Sequence, residues 1–182
     1  IACPTRNKTG PSFASLPIEP ISKGRKALER GEFYASTRQY DRALDEVQAV
    51  INSRDSASSN PIEWGKAIKY ALAIAVRVKK SPEQAQELVQ HILDNKQAPF
   101  FMKEDAKAWL KTIEAWKKES PRTLTDEEGL YAEAVRLLGQ AHDIQKYPVD
   151  HSADIVYLRA SAAVHDLLQL GPNGRHAGEG YL

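Results

Sequence analysis

An all-α fold is predicted for this chain by three features of its sequence. Apolar residues recur three and four positions apart along most of its length, which places them on one side of a helix. Short polar or proline-containing segments separate these stretches. No stretch alternates apolar and polar residues between turn signals, as a half-buried strand would. We therefore expect about seven amphipathic helices that stack as antiparallel hairpins.

Helix boundaries follow from capping residues and prolines. Ser22, Asn60 and Ser81 each stand where a side-chain oxygen would accept a hydrogen bond from the first turn of a helix. Pro61 and Pro82 fit the first helical position, which needs no backbone N–H donor. The predicted helices begin near Ser22, Tyr40, Pro61, Pro82, Phe101, Asp126 and Asp150, and the last ends at Leu170. Residues 52–60 and 119–124 are predicted to be connectors.

The sixth helix is expected to open with a capping box. Thr125 precedes this helix and Glu128 follows three residues later, so each side chain would reach the backbone N–H of the other residue. Asp126 and Glu127 would lie in the first turn, where the helix dipole favours negative charge. Helix initiation therefore explains this acidic run better than acid–base catalysis does.

The chain is predicted to have two parts. Residues 1–20 are rich in Pro, Ser, Thr, Asn and Gly, which favours a flexible N-terminal tether. Residues 21–182 carry the helical pattern and are expected to form the folded domain. A chain of 182 residues fits one domain or one short repeat array.

The single cysteine, Cys3, follows Ile1 and Ala2, and these residues resemble the end of the lipobox of a bacterial lipoprotein. That resemblance implies lipid attachment at Cys3 and a lipid-anchored periplasmic or cell-envelope location. The alternative is an arbitrary fragment boundary and a cytoplasmic location, because one thiol alone does not reveal the compartment.

The charges of the chain are nearly balanced, with 25 Lys plus Arg against 24 Asp plus Glu. This balance argues against nucleic acid as a partner, because a nucleic-acid-binding domain would carry a basic excess. No apolar stretch is long enough to predict a membrane span. Residues 6–30 are locally basic, which fits either a solvated segment or a contact with anionic lipid headgroups or an acidic partner.

The first two hairpins resemble tetratricopeptide repeats. The small and aromatic positions of that family are matched in the first hairpin by Gly31, Tyr34, Tyr40 and Ala43. Small residues at such positions let two helices approach closely. The second hairpin is a poorer match, because Pro82 replaces the second aromatic. The resemblance covers residues 24–97 and implies an α-solenoid of stacked helix pairs, whereas residues 100–171 are expected to form irregular helical hairpins.

The tetratricopeptide resemblance implies a concave groove that holds an extended peptide or a helix of another protein. The first helix of each pair would line this groove. The corresponding positions are Arg25, Leu28, Glu32, Ala35, Ser36, Ala67, Tyr70, Ile74, Arg77 and Val78. Arg25 and Arg77 would meet an acidic ligand there, or they are ordinary surface arginines.

Catalytic and metal-binding motifs are missing from the sequence, so we expect a non-enzymatic protein without a cofactor or metal. No two of its five histidines are four residues apart, and Cys3 has no rigid base beside it. Two alternatives stay open. One is a structural segment of a larger protein or complex, and the other is a small-ligand binder or enzyme with a pocket between residues 64–80 and 150–170.

Overall fold

The computed structural model describes residues 22–53, 56–119, 124–147, 150–176 and 178. All regular secondary structure in this part of the chain is helical, so the predicted all-α class is confirmed. The predicted tether of residues 1–20, with Cys3, lies outside the described residues. The helices are α1 (Lys23–Ser36), α2 (Tyr40–Ile51), α3 (Ser56–Ser59), α4 (Pro61–Arg77), α5 (Pro82–Asp94), α6 (Phe100–Lys118), α7 (Glu127–Lys146) and α8 (Ala153–Leu170).

The described residues form eight helices rather than about seven, because the short helix α3 occupies part of a predicted connector. The side chain of Ala57 in α3 is buried and belongs to the main hydrophobic cluster. It packs against α4. This apolar contact orders a serine-rich segment whose own sequence predicts only a loop.

The three predicted side-chain caps are confirmed. Ser22 accepts a hydrogen bond from the backbone N–H of Arg25 at 3.0 Å. Asn60 and Ser81 accept equivalent bonds at the starts of α4 and α5, at 3.4 Å and 3.2 Å. Each cap satisfies one of the backbone donors that the first turn of a helix leaves without an intrahelical partner.

The predicted capping box at Thr125 is wrong. The residue that caps α7 is Asp126, whose Oδ1 accepts a hydrogen bond from the backbone N–H of Gly129 at 2.7 Å. The carboxylate of Glu128 does not turn back on the helix start. It contacts Arg175 at 3.3 Å and His176 at 3.2 Å. The carboxylate that a capping box would require is therefore bound to residues far along the chain.

α8 begins three residues later than predicted, because α6 holds the segment before it. Asp150 pairs with Lys111 of α6 at 2.8 Å. The backbone N–H of Ser152 donates to the hydroxyl of Thr112 at 2.9 Å. Ser152 then caps α8 by accepting from the N–H of Asp154 at 3.2 Å.

The helices pack as pairs around α4. α1 packs against α2, α5 against α6, and α7 against α8, while α4 contacts α1, α2, α3, α5 and α8. Apolar residues occupy most of the circumference of α4, which explains how one helix can face so many neighbours. Its Trp64 is fully buried and donates from Nε1 to the carbonyl oxygen of Ile51 at 3.3 Å.

α1 and α2 approach closely at Gly31, as expected from the small residue there. A Cβ atom at this position would lie 3.2 Å from a methyl group of Val47 and 3.4 Å from the carbonyl oxygen of Ala43. Ala43 and Val47 are themselves completely buried. The absence of a side chain at position 31 therefore fixes the spacing of this pair.

Candidate functional site

The structure divides the ten predicted groove positions into two groups. Leu28, Ala67 and Ile74 are buried, and the first two belong to the main hydrophobic cluster. The other seven are exposed or half-buried. We call these seven residues the α1–α4 surface: Arg25, Glu32, Ala35, Ser36, Tyr70, Arg77 and Val78.

The α1–α4 surface is built from two helices that lie side by side and run in the same direction. The hydroxyl of Ser22 donates to the carboxylate of Glu63 at 2.7 Å, which joins the start of α1 to the start of α4. Both helices are antiparallel to α2, since Gly31 faces Val47 and Lys79 pairs with Asp41 at 2.6 Å. Residues that are far apart in the sequence therefore meet on one face.

Tyr70 lies near the middle of this surface. Its ring is half-buried and packs against the main hydrophobic cluster. Burial raises the pKa of its phenol, and the negative charge of Glu32 and the nearby Tyr40 raise this pKa further. The hydroxyl therefore stays neutral at physiological pH, and it can both donate and accept a hydrogen bond.

The two predicted arginines differ in what surrounds them. Arg25 pairs with Glu29 one turn further along α1 at 3.2 Å, and both side chains are exposed. Arg77 is exposed at the end of α4, and no carboxylate of the described residues lies within 4.0 Å of it. Val78, which is also exposed, follows it. Arg77 is therefore the groove arginine whose charge is not already compensated.

A separate cleft of about 620 Å³ lies where α4, α5, α6, α7 and α8 come together. Its apolar lining includes Val76, Trp116 and Leu137, and its charged lining includes Lys80 and Asp166, which form an ion pair. This cleft lies at one end of the contact between α4 and α8. The predicted pocket between residues 64–80 and 150–170 corresponds to this region.

The most buried charge in the cleft is Arg159 of α8, whose side chain is 9% exposed. It forms two hydrogen bonds with Glu119, at 2.9 Å and 2.6 Å. Its guanidinium also lies over the ring of Trp116, 4.9 Å from the centroid. The hydrogen bonds from Arg159 lower the pKa of Glu119, although burial acts in the opposite direction.

A second arginine extends this network to α7. Arg136 forms two hydrogen bonds with Glu133, at 2.8 Å and 2.6 Å, and lies 3.5 Å from Glu119. The bond to Glu133 is the main reason why the pKa of Arg136 is raised. Since these charges neutralise one another, a ligand in the cleft would have to displace existing ion pairs. The network therefore joins α6, α7 and α8 rather than providing a vacant polar site.

Little in the sequence indicates this network. Glu119 falls in a predicted connector, and Arg159 falls in a helix that is otherwise rich in apolar residues. The two residues are 40 positions apart, so no helical spacing relates them. A charged residue within such an apolar helix was the one feature from which a buried partner could have been inferred.

The described residues contain no group of three His, Cys, Asp or Glu side chains placed to hold a metal ion. None of their helices combines the length and the apolar character needed to cross a membrane.

Comparison of this chain with protein families, curated proteins and solved structures found no match. The structure and the sequence therefore define the class of the protein as an all-α helical domain, and its function is inferred from its surfaces.

Proposed function

We propose that this protein is a non-enzymatic scaffold that binds a peptide or helix of a partner protein on the α1–α4 surface. In this proposal α1, α2, α4 and α5 form two tetratricopeptide-like hairpins of an α-solenoid. The close approach of α1 and α2 at Gly31 supports that arrangement, because the family places a small residue at this position.

The observation that carries the proposal is the composition of the α1–α4 surface. A half-buried Tyr70 provides an amphipathic contact, with Glu32 close enough to affect its pKa. Arg77 offers a charge without a carboxylate partner among the described residues, and Val78 adds an exposed apolar side chain. Tyrosine and arginine are enriched among residues that dominate the binding energy of protein interfaces.

We also propose that the chain is anchored in a bacterial cell envelope through a lipid on Cys3. The support is the resemblance of Ile1, Ala2 and Cys3 to a lipobox. Mass spectrometry of the protein purified from its source tests this point by itself. A thioether-linked lipid on Cys3 is expected, and an unmodified thiol would exclude the anchor.

Site-specific photocrosslinking tests the binding surface. A benzophenone amino acid at position 70 replaces one aromatic side chain by another, so the fold should be retained. The same amino acid at Val135, an exposed position on α7, is the matched control. Irradiation in an extract of the source organism should give one dominant crosslinked protein from position 70 and no such product from position 135.

A charge reversal at Arg77 provides the second part of this test. Arg77→Glu should reduce the crosslinked product by about tenfold, which is the effect of losing a charged contact of about 1.4 kcal/mol. Lys118→Glu reverses an exposed charge at the end of α6 and should leave the yield unchanged. Equal yields from positions 70 and 135, or an unchanged yield with Arg77→Glu, would place the binding site elsewhere.

A further inference from the structure

Three large apolar side chains are strongly exposed at the starts of α4 and α6. Ile62 is 71% exposed, Phe100 is 78% exposed and Phe101 is 60% exposed. We call these three residues the apolar end patch. Exposed apolar residues that are grouped and surrounded by polar residues mark sites of contact with a protein or a membrane.

The starts of α1, α4 and α6 lie next to one another at this end of the protein. Ser22 at the start of α1 donates to Glu63 in the first turn of α4 at 2.7 Å. A Cβ atom at Gly65 of α4 would lie 3.5 Å from the sulfur of Met102 in α6. These two contacts bring the three helix starts to the same end of the protein.

Among the described residues, five lysines without a carboxylate partner lie at the same end of the protein as the apolar end patch. They lie in the first two turns of α1, α4 and α6 and in the loop before α6. Within the described part of the chain, no carboxylate is found within 4.0 Å of Lys23, Lys26, Lys66, Lys96 or Lys103. Their charges are therefore available to an anionic partner.

Two carboxylates at the same end are paired with cations. Glu29 pairs with Arg25 at 3.2 Å, and Glu104 pairs with Lys107 at 2.6 Å. Glu63 and Asp94 accept hydrogen bonds from uncharged side chains and keep their negative charge, as does Asp105. Five lysines against these three carboxylates leave the described residues of this face with an excess of two positive charges.

We propose that the apolar end patch and its lysines dock the protein on an anionic lipid surface. The side chains of Ile62, Phe100 and Phe101 would enter the boundary between headgroups and acyl chains, while the lysines contact lipid phosphates. A second copy of the chain is a poorer occupant, because a symmetric contact would bring the same lysines together.

α1 begins at this face with Ser22, the first described residue. Lys23 and Lys26 of the docking surface belong to the locally basic part of the sequence, residues 6–30. Docking on a lipid surface requires no lipid on Cys3, so this proposal can be tested independently of the proposed anchor.

Vesicle co-sedimentation of the purified full chain carrying Cys3→Ser tests the proposal without any attached lipid. Phosphatidylcholine vesicles containing about 30% phosphatidylglycerol should bind it, and pure phosphatidylcholine vesicles should bind it at least about tenfold more weakly. The triple variant Ile62→Ser/Phe100→Ser/Phe101→Ser should lose at least about tenfold in binding to the anionic vesicles. Phe33→Ser, which replaces a phenylalanine that is 62% exposed near the other end of α1, is the matched apolar control and should bind normally.

Charge reversal separates the lysines from the apolar contact. Each lysine near an anionic surface contributes about fivefold to binding, so Lys26→Glu/Lys66→Glu should bind at least about 25-fold more weakly. Arg77→Glu/Lys118→Glu changes the same net charge at the opposite ends of α4 and α6 and should have a much smaller effect. Circular dichroism of every variant checks that the helices are retained.

Three results would overturn the proposal. The first is equal binding to neutral and anionic vesicles, and the second is normal binding by the folded triple variant. The third is a dimer, measured by light scattering, that the triple variant converts to a monomer. That last result would mean that a second copy covers the apolar end patch.

Discussion

Replacing Arg159 by alanine removes the side chain that joins α8 to the end of α6. The carboxylate of Glu119 would lose two short hydrogen bonds, and Trp116 would lose the cation over its ring. Breaking a fully buried ion pair costs about 3–5 kcal/mol, whereas an exposed pair contributes about 0–1 kcal/mol. Arg159 is almost fully buried, but the side chain of Glu119 is 34% exposed. Because water would partly solvate the remaining carboxylate, we expect a loss of about 2–3 kcal/mol, including the cation–π contact.

Urea denaturation followed by circular dichroism measures this loss directly. For a domain of this size, a loss of 2–3 kcal/mol corresponds to a fall in Tm of about 5–10 °C. The matched control is Arg25→Ala, which removes an arginine from an exposed pair one helical turn apart and should cost about 0.3–0.5 kcal/mol. Equal losses for the two variants would refute the inference that the Arg159 network holds α8 against α6.

The lowered pKa of Glu119 adds a pH dependence to the same prediction. A carboxyl group whose pKa is lower in the folded chain stabilises the fold at pH values above its unfolded value of about 4.3. That contribution is lost as the pH falls through the lower folded value. The difference in unfolding free energy between wild type and Arg159→Ala should therefore be full at pH 7 and should shrink below about pH 4. If this free-energy difference does not change with pH, the loss of stability in Arg159→Ala comes from lost packing alone.

Three further predictions concern packing. Gly139→Ala should stabilise the protein by about 0.5–1 kcal/mol in urea denaturation, because a Cβ atom there meets nothing within 4 Å. Gly31→Val should destabilise it by more than about 1 kcal/mol, because the new side chain would collide with Val47. Stabilisation by both changes would contradict the close approach of α1 and α2. Trp64→Ala should cost about 3–5 kcal/mol, since it empties a fully buried site and removes a hydrogen bond, and a loss below about 1 kcal/mol would show that the site is not packed as described. Tyr131→Ala removes a ring that stacks on His176, with the two ring centroids 3.9 Å apart. The change should speed amide hydrogen exchange in residues 171–176, and an unchanged exchange rate would contradict that contact.

Local signals explain which parts of the fold could be predicted. Ser22, Asn60 and Ser81 cap helices through bonds to residues three positions away, so their role is contained in a short stretch of sequence. α7 was misassigned at its start because Thr125 and Asp126 are both good capping residues. The choice between them depends on Glu128, which is engaged by residues more than 45 positions away. Sequence spacing contains no information about such a contact.

For the α1–α4 surface, the sequence predicts which residues lie on the helices but not which of them are exposed. Periodicity placed Ala67 and Ile74 on α4, but only the packing of five neighbouring helices determines which sides of α4 remain accessible. The resemblance to tetratricopeptide repeats predicts both residues in the groove, and the structure buries them. Arg77 remains exposed and Tyr70 half-buried, because the neighbouring helices leave the end of α4 uncovered and cover the Tyr70 ring only in part. The apolar end patch was not predicted, because exposure at a helix start depends on which loops cover it.

The apolar end patch and the Arg77 end of the α1–α4 surface lie at opposite ends of α4, and this separation makes a combined prediction possible. Ile62 lies in the first turn of α4 and Arg77 at its end, about 22 Å away at a rise of about 1.5 Å per residue. A protein docked by the apolar end patch would therefore hold a partner at Arg77 about 20 Å above the lipid surface, where both sites can be occupied together. Binding of the partner should be unchanged by anionic vesicles in a competition assay. Mutual exclusion would mean that the lipid and the partner use overlapping surfaces, and it would contradict the assignment of at least one of them.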